Sequence, residues 1–190
     1  MDNQYISSAA VYLIDAVFGI YLFLVLLRFL FQLVRADFNN PISQFLVKAT
    51  NPPLRPLRRI IPSIAGIDLA SIVLLMIIQL AALALKHLAL GLSFQPFGLL
   101  VLASAELISL TLTLFQITIL AQIIISWIGP QTQNPVVSLL YYLNEPIMRP
   151  ARRILPPFSG FDFSPILVLI VIQLLKILLV APLYNFGHVL

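Results

Sequence analysis

Four long apolar stretches alternate with short polar segments along this chain of 190 residues. An α-helix needs about 20 apolar residues to cross a bilayer core that is roughly 30 Å thick. Stretches of that length occur at approximately 9–34, 69–90, 97–128 and 164–186. The pattern therefore predicts an all-α membrane protein with four transmembrane helices.

The composition agrees with this prediction. Apolar residues make up 61% of the chain and charged residues 9%, and the mean hydropathy is +1.03. Soluble domains are far more polar. The first ten residues contain no Lys or Arg, and the apolar run that follows is too long for a signal-peptide core, so we expect the first helix to remain as a span. The chain has no cysteine, which excludes disulfide and thiolate chemistry.

The chain is an internal repeat with an offset of 94 residues. Between 40–80 and 134–174, 17 of 41 aligned positions are identical without a gap. The most regular part is a motif of prolines and arginines followed by glycine and aspartate. Its residues are Pro52, Arg55, Pro56, Arg58, Arg59, Pro62, Gly66 and Asp68 in the first copy, and Pro146, Arg149, Pro150, Arg152, Arg153, Pro156, Gly160 and Asp162 in the second.

The repeat predicts two units, 1–93 and 94–190, with two spans each. Because two is an even number, both units must enter the membrane in the same orientation, as parallel repeats. The basic residues of the chain concentrate in the 35–68 and 129–163 connections. By the positive-inside rule both connections are cytoplasmic and both termini are periplasmic. We therefore expect a multi-pass protein of a bacterial inner membrane.

Each connection predicts a cytoplasmic amphipathic helical hairpin. Asn40–Pro41 and Asn134–Pro135 have the form of an N-cap followed by proline at the first helical position. Apolar residues then recur every three or four positions. Since proline is tolerated only in the first turn of a helix, the prolines near position 52 predict a second, separate helix from about Pro53 to Ile61.

The second helix of each hairpin places three arginines on one face. Arg55, Arg58 and Arg59 lie at i, i+3 and i+4, and the second copy repeats this spacing. One interpretation is that these arginines only fix the orientation of the protein. The other is a specific site for anionic lipid headgroups or an acidic partner surface, since guanidinium groups suit phosphates.

The remaining motif residues have structural interpretations. Pro62 and Pro156 end the helix, and Gly66 and Gly160 supply the turn that follows. Asp68 and Asp162 stand at the start of the next span, where a carboxylate caps exposed N–H groups. We expect these two aspartates to be helix caps, also paired with the nearby arginines, rather than ligands of an ion.

Asp15, Arg28, Glu106 and Lys176 lie in or near the apolar stretches, and such residues are functional candidates. Under the 94-residue offset, Asp15 and Glu106 fall one helical turn apart on matching faces of the first and third spans. With Lys86 and Lys176 they form a possible intramembrane polar cluster. The alternatives are ion pairing at the membrane interface and a path for ions or protons.

The sequence contains no motif that indicates an enzyme. It has no glycine-rich phosphate loop, no metalloprotease HExxH and no GxSxG. We therefore expect no catalysis, no metal and no cofactor. The net charge of +4 follows from the basic connections, so no nucleic-acid partner is expected.

The repeated segments "NPPLRPLRRIIPSIAGIDLAS" and "NEPIMRPARRILPPFSGFDFSP" resemble the YggT family of small bacterial membrane proteins, which includes the YlmG proteins and chloroplast homologues. The resemblance covers both copies and is similar to the doubled proteobacterial form. It implies a role in osmotic-stress tolerance and ion homeostasis, or, for the YlmG type, in cell division, nucleoid organisation or assembly of membrane complexes.

Two classes of function follow from the residues. The chain is either a non-catalytic protein that organises anionic lipids or membrane protein complexes through its arginine faces, or a small ion channel or transporter. Because relatives with one copy exist, the resemblance also implies possible homo-oligomers.

Overall fold

The computed structural model describes residues 2–129, 134–156 and 162–190, and every regular element within them is helical. The elements in chain order are α1 (Asp2–Leu33), α2 (Pro41–Ile60), α3 (Leu69–Leu90), α4 (Pro96–Ile128), α5 (Pro135–Ile154), α6 (Ser164–Leu175) and α7 (Ala181–Val189). A π-helical turn, Lys176–Val180, joins α6 to α7. The prediction of an all-α protein is confirmed.

Four helical stretches are long and apolar enough to cross a membrane. They are Gln4–Leu33, Leu69–Leu90, Pro96–Trp127 and Ser164–Val189. Each overlaps one of the four stretches expected from the sequence, so the four-span prediction is confirmed. Length and composition thus make the chain a multi-pass membrane protein, in which helices satisfy their backbone hydrogen bonds internally.

The two connections each contain one amphipathic helix of 20 residues, α2 and α5. Both begin as predicted, because the side chain of Asn40 accepts a hydrogen bond from the Ile42 N–H at 2.9 Å and that of Asn134 accepts one from the Val136 N–H at 2.9 Å. Asn40 Nδ2 also donates to the carbonyl of Pro135, which ties the starts of the two helices together.

The prediction of a helical hairpin in each connection is wrong. α2 continues unbroken through Pro52, Pro53 and Pro56, and α5 continues through Pro146 and Pro150. Each proline removes one N–H from the helix. The stripe Ser43, Leu46, Thr50 and Leu54 is buried on both sides of Pro52 and Pro53, and this packing stabilises the continuous helix.

Both helices end two residues before the next motif proline, at Ile60 before Pro62 and at Ile154 before Pro156. Gly66 then has φ = +84°, a conformation that glycine adopts without strain, and the neighbouring Ala65 also has positive φ. Gly160, the equivalent of Gly66, lies outside the described residues.

The interior is built where the amphipathic helices meet the spans. In the first unit α1, α2 and α3 pack around a cluster that includes Val25, Leu54 and Leu74. The second unit has a cluster of Ile119 and Met148, from α4 and α5, with residues of α6. α3 also contacts α4, and α1 contacts α5, so the two units pack side by side.

α4 and α7 approach each other through glycines. A Cβ added to Gly98 would lie 2.8 Å from the carbonyl oxygen of Gly187, and one added to Gly187 would lie 2.8 Å from Cγ of Leu102. Small residues commonly permit such close packing of membrane helices.

We predict that Gly98→Ala destabilises the protein by about 1–3 kcal/mol, because its methyl group overlaps backbone rather than a mobile side chain. The matched control is Gly19→Ala in α1, where a Cβ meets no atom within 4 Å and alanine only gains helix propensity. Thermal unfolding in detergent measures both. Equal melting temperatures for the two variants would contradict the close contact.

Candidate functional site

One arginine of the first motif is joined to the motif aspartate. Arg58, in the last turn of α2, donates from Nε to Asp68 Oδ2 at 3.1 Å, and its Nη2 contacts the same oxygen. Ser71 Oγ donates to that oxygen at 2.7 Å. Asp68 is the N-cap residue of α3, but its side chain makes no cap hydrogen bond, and only 1% of it is exposed. It holds α2 against α3.

The second motif repeats the pair with more solvent around it. Arg152 Nε donates to Asp162 Oδ2 at 3.0 Å, and Arg152 Nη1 donates to Glu145 at 3.0 Å. Asp162 Oδ1 accepts from the N–H and the hydroxyl of Ser164, so this aspartate does bond the first turn of α6. About a third of each side chain is exposed, 32% for both Arg152 and Asp162.

The hydrogen bonds to the two aspartates lower the pKa of each carboxyl group. Burial raises the pKa of Asp68, but the hydrogen bonds from Arg58 and Ser71 outweigh it and bring the pKa below the ordinary 3.8. Burial likewise raises the pKa of Asp162, and the bonds from Ser164 and Arg152 bring it below the ordinary value. Both carboxylates are therefore ionised at neutral pH.

The other four motif arginines are exposed and make no ion pair within the described residues. They are Arg55, Arg59, Arg149 and Arg153. The motif thus separates into one structural arginine per copy and two that face outward. Their positions on the surface of α2 and α5 leave the guanidinium groups available to an external anion.

Arg55 lines an open groove of about 750 Å³ along α2. Gln44, Lys48, Asn51 and Arg55 lie at i, i+4, i+7 and i+11, on one face of the helix, and the groove also contains Phe38 and Val47. Two cations and two amides therefore line a groove whose wall is partly apolar. The equivalent surface of α5 is lined by Ser138, Tyr141, Tyr142 and Glu145, so Tyr142 replaces Lys48 and Glu145 replaces Asn51, while Arg149 occupies the position of Arg55.

Three of the four residues of the predicted intramembrane polar cluster lie together. Lys86 Nζ is 3.0 Å from Asp15 Oδ1 and 3.5 Å from Glu106 Oε1. Gln79 Nε2 donates to Glu106 Oε2. These residues, from α1, α3 and α4, line a cavity of about 400 Å³ that also contains Tyr184 of α7.

Lys176, the fourth, bonds a different part of α4. Its Nζ donates to Thr113 Oγ1 at 2.8 Å and to Gln116 Oε1 at 2.5 Å. It is the first residue of the π-helical turn, a feature that is frequent at functional sites. Glu106, Thr113 and Gln116 recur on one face of α4, so the carboxylate and the two acceptors of Lys176 form one polar stripe.

Sequence reasoning missed several of these side chains. Lys48 belongs to the basic 35–68 connection, which indicates only orientation, although its helical spacing to Arg55 places both residues on one face. Thr113 and Gln116 were not recognised as partners of Lys176. Polar residues at i, i+3, i+7 and i+10 along α4, beginning at Glu106, are the signal that would have found them.

Comparison with known proteins identifies the family. The family model described as CCB3/YggT matches the chain twice, over residues 7–89 and 101–183, which are 94 residues apart at both ends. These ranges cover most of the chain. The chain belongs to the CCB3/YggT family and contains two copies of its unit.

The relatives are similar over nearly their whole length. An uncharacterized protein of Pseudomonas aeruginosa is 42% identical over 177 residues, which is 92% of this chain and 90% of the relative. A Vibrio alginolyticus protein in the proC 3′ region is 37% identical, over 88% of this chain and 91% of its own length. The uncharacterized protein YggT of Escherichia coli K12 is 34% identical, over 94% and 93%. No solved structure matches the chain.

We predict that Asp68→Asn lowers the free energy of unfolding at pH 7 by about 1–3 kcal/mol, because Arg58 loses a buried counter-ion but is itself one-third exposed. The ionised pair stabilises the fold fully above the unfolded-state pKa of about 3.9. That contribution is lost as the pH falls through the lowered pKa of folded Asp68, so the difference from wild type disappears in acid.

Unfolding in detergent between pH 3 and pH 7 measures this difference. The matched control is Asp162→Asn, which costs about 1 kcal/mol or less because both partners are exposed to water. Equal losses for the two variants, or a difference from wild type that persists in acid, would contradict the assignment.

Proposed function

We propose that this member of the CCB3/YggT family is a non-catalytic inner-membrane protein that binds anionic phospholipid headgroups through α2 and α5. The observation that carries the proposal is that the motif arginines fall into two groups, one paired with the aspartates and one exposed. Arg58 and Arg152 hold the helices in place, whereas the remaining arginines face outward without a counter-ion in the described residues.

The orientation proposed from the sequence places both amphipathic helices at the cytoplasmic face. The two units are then parallel repeats with periplasmic termini, and the exposed arginines meet the leaflet whose surface carries negative potential. Each basic residue near an anionic surface is worth on the order of 1 kcal/mol. Two such helices in one chain bind the same leaflet together, so their contributions combine.

The residues that line the α2 groove match the headgroup and the upper acyl chain of one anionic lipid. Lys48 and Arg55 supply the charge, and the amides of Gln44 and Asn51 supply hydrogen-bond donors for phosphate oxygens. Phe38 and Val47 offer apolar surface to the upper part of an acyl chain. In this proposal the first unit carries the selective site, and Arg149 and Arg153 of the second unit add attraction to the surface.

Binding of this kind supports a role in membrane homeostasis under osmotic stress, as the family resemblance implies. It also allows the same arginines to hold the acidic surface of a membrane protein complex. A lipid site and an acidic protein surface use the same guanidinium chemistry, so the test below uses defined lipids.

We predict that the double variant Lys48→Gln, Arg55→Gln binds phosphatidylglycerol at least tenfold more weakly than wild type. The loss follows from removing two cations at about 1 kcal/mol each. Native mass spectrometry of the detergent-solubilised protein at increasing lipid concentration measures the binding, and rising salt reduces it in the wild type more than in the variant.

The matched control is Tyr142→Gln, Arg149→Gln, at the equivalent positions of the second unit. It leaves the α2 groove intact and is expected to retain phosphatidylglycerol binding within about fivefold of wild type, since it removes only one surface cation, worth about 1 kcal/mol. Unchanged binding in the α2 variant would overturn the proposal.

The second candidate function is a small ion channel or transporter. The observation in its favour is the cavity in which Lys86 bridges Asp15 and Glu106. Charged residues at membrane depth are costly and often line ion or proton paths. The polar stripe from Glu106 to Gln116 extends this cavity along α4 for about 15 Å at 1.5 Å per residue.

If this candidate is right, the protein conducts potassium or sodium in liposomes under an osmotic gradient, and Asp15→Asn and Glu106→Gln abolish the flux. Lys48→Gln, Arg55→Gln serves as the control, because those residues lie outside the membrane cavity. Absence of flux from folded and oriented wild-type protein would exclude conduction of these ions and leave lipid binding as the function.

A further inference from the structure

The second unit contains a cavity of about 510 Å³ between the end of α4, the middle of α5 and the start of α6. Ile123, Met148 and Ile166 give it an apolar side. Its other side is formed by Gln122, Ser126, Trp127, Tyr141, Arg152 and Asp162. None of these residues belongs to the α2 groove or to the intramembrane cluster.

At two of the equivalent positions the first unit has longer side chains. Gln122 corresponds to Arg28, which is 4% exposed and donates from Nη1 to Thr50 Oγ1 at 2.8 Å. Ser126 corresponds to Gln32, whose Oε1 accepts from Arg58 Nη2 at 3.2 Å. The shorter pair in the second unit leaves the space open.

The aspartates of the two motifs also differ in exposure, with the second more open to its surroundings than the first. The side chain of Asp68 is 1% exposed, whereas that of Asp162 is 32% exposed and lines the cavity. Gln122 does not extend toward Arg152 but accepts a hydrogen bond from Asn144 Nδ2 at 2.8 Å. Both units therefore contain the ion pair, and in the second unit there is an open space beside it.

The charges at this cavity have both signs. Arg152 uses Nε toward Asp162 and one N–H of Nη1 toward Glu145, so three of its five N–H groups remain for a ligand. The charged side chains that line the cavity, Arg152 and Asp162, have opposite signs and sum to zero. A ligand that carries both a phosphate and a cation therefore matches the site better than a purely anionic one.

The aromatic residues favour a cation as well. Trp127, Tyr141 and Phe163 line the cavity at the boundary of the spans, which end at Trp127 and begin again at Ser164. Indole and phenol rings attract ammonium groups to their faces, and they are enriched at membrane interfaces. Ile166, which lines the cavity, is also partly exposed and offers an apolar surface to an acyl chain.

We propose that this cavity binds one zwitterionic aminophospholipid. Its phosphate accepts hydrogen bonds from Nη2 of Arg152, its ammonium lies between Asp162 and the aromatic rings, and the first part of one acyl chain follows Ile123 and Ile166. The site takes a lipid of different charge from the one proposed for α2, and it does not depend on that proposal.

The test is native mass spectrometry of the full chain in detergent with phosphatidylethanolamine or phosphatidylglycerol at equal concentration. Ser126→Phe fills the cavity, and we expect it to weaken phosphatidylethanolamine binding at least tenfold. The matched control is Ser104→Phe on the same helix, whose hydroxyl also bonds only a backbone carbonyl of its own helix, at 2.8 Å compared with 2.7 Å for Ser126. Phosphatidylethanolamine should bind the control as it binds wild type.

Two further measurements distinguish a loss of lipid binding from a loss of folding. Phosphatidylethanolamine should raise the melting temperature of wild type but not that of Ser126→Phe, with equal melting temperatures in lipid-free detergent. Should Ser126→Phe fail to fold, Ser126→Gln introduces the first unit's residue and is expected to weaken binding severalfold. Trp127 is the single tryptophan of the chain, so its fluorescence reports occupancy directly.

The proposal is overturned if the filled variant binds phosphatidylethanolamine as tightly as wild type, or if wild type retains no such lipid. It is also overturned if the lipid lost from Ser126→Phe is phosphatidylglycerol, because the site would then select an anionic headgroup. Loss of phosphatidylethanolamine from the cavity variants alone supports it.

Discussion

The contact on which each unit depends is the ion pair between the last turn of its amphipathic helix and the start of its next span. The pair joins the amphipathic helix to the span that follows it, across ten residues of chain. Where the aspartate is buried, desolvation raises the cost of the charge, and the hydrogen bonds that Arg58 and Ser71 donate to Asp68 Oδ2 offset this cost. The apolar stripe beneath the helix then packs into the cluster of the spans.

Duplication gave the chain two such contacts, and the surroundings of the two have diverged. The first unit buries Arg28 beside its pair and places cations along α2, whereas the second has Gln122 and an amide network with Asn144. A charge that is costly to bury in one unit is replaced by neutral hydrogen bonds in the other. The same scaffold therefore offers a basic groove on one side and an aromatic cavity of mixed charge on the other.

Much of the fold could be predicted because its signals are local. The four apolar stretches, the asparagine caps of α2 and α5, and the positions where these helices end all follow from helix length, capping and proline chemistry. The continuity of α2 through its prolines did not follow from such signals. Propensity argues for a break at Pro52, and only the packing of Leu46, Thr50 and Leu54 along one buried stripe keeps the helix whole.

The repeat, the number of spans and the charged residues can all be read from the sequence, because each of them depends on composition and spacing along the chain. Which charged side chains pair with one another depends on how the helices pack. Arg58 and Arg152 pair with the motif aspartates. Lys86 pairs with Asp15 and Glu106. Lys176 instead donates hydrogen bonds to Thr113 and Gln116. The reason is that partner choice depends on distances between helices, and residues far apart in sequence meet only once the spans have packed.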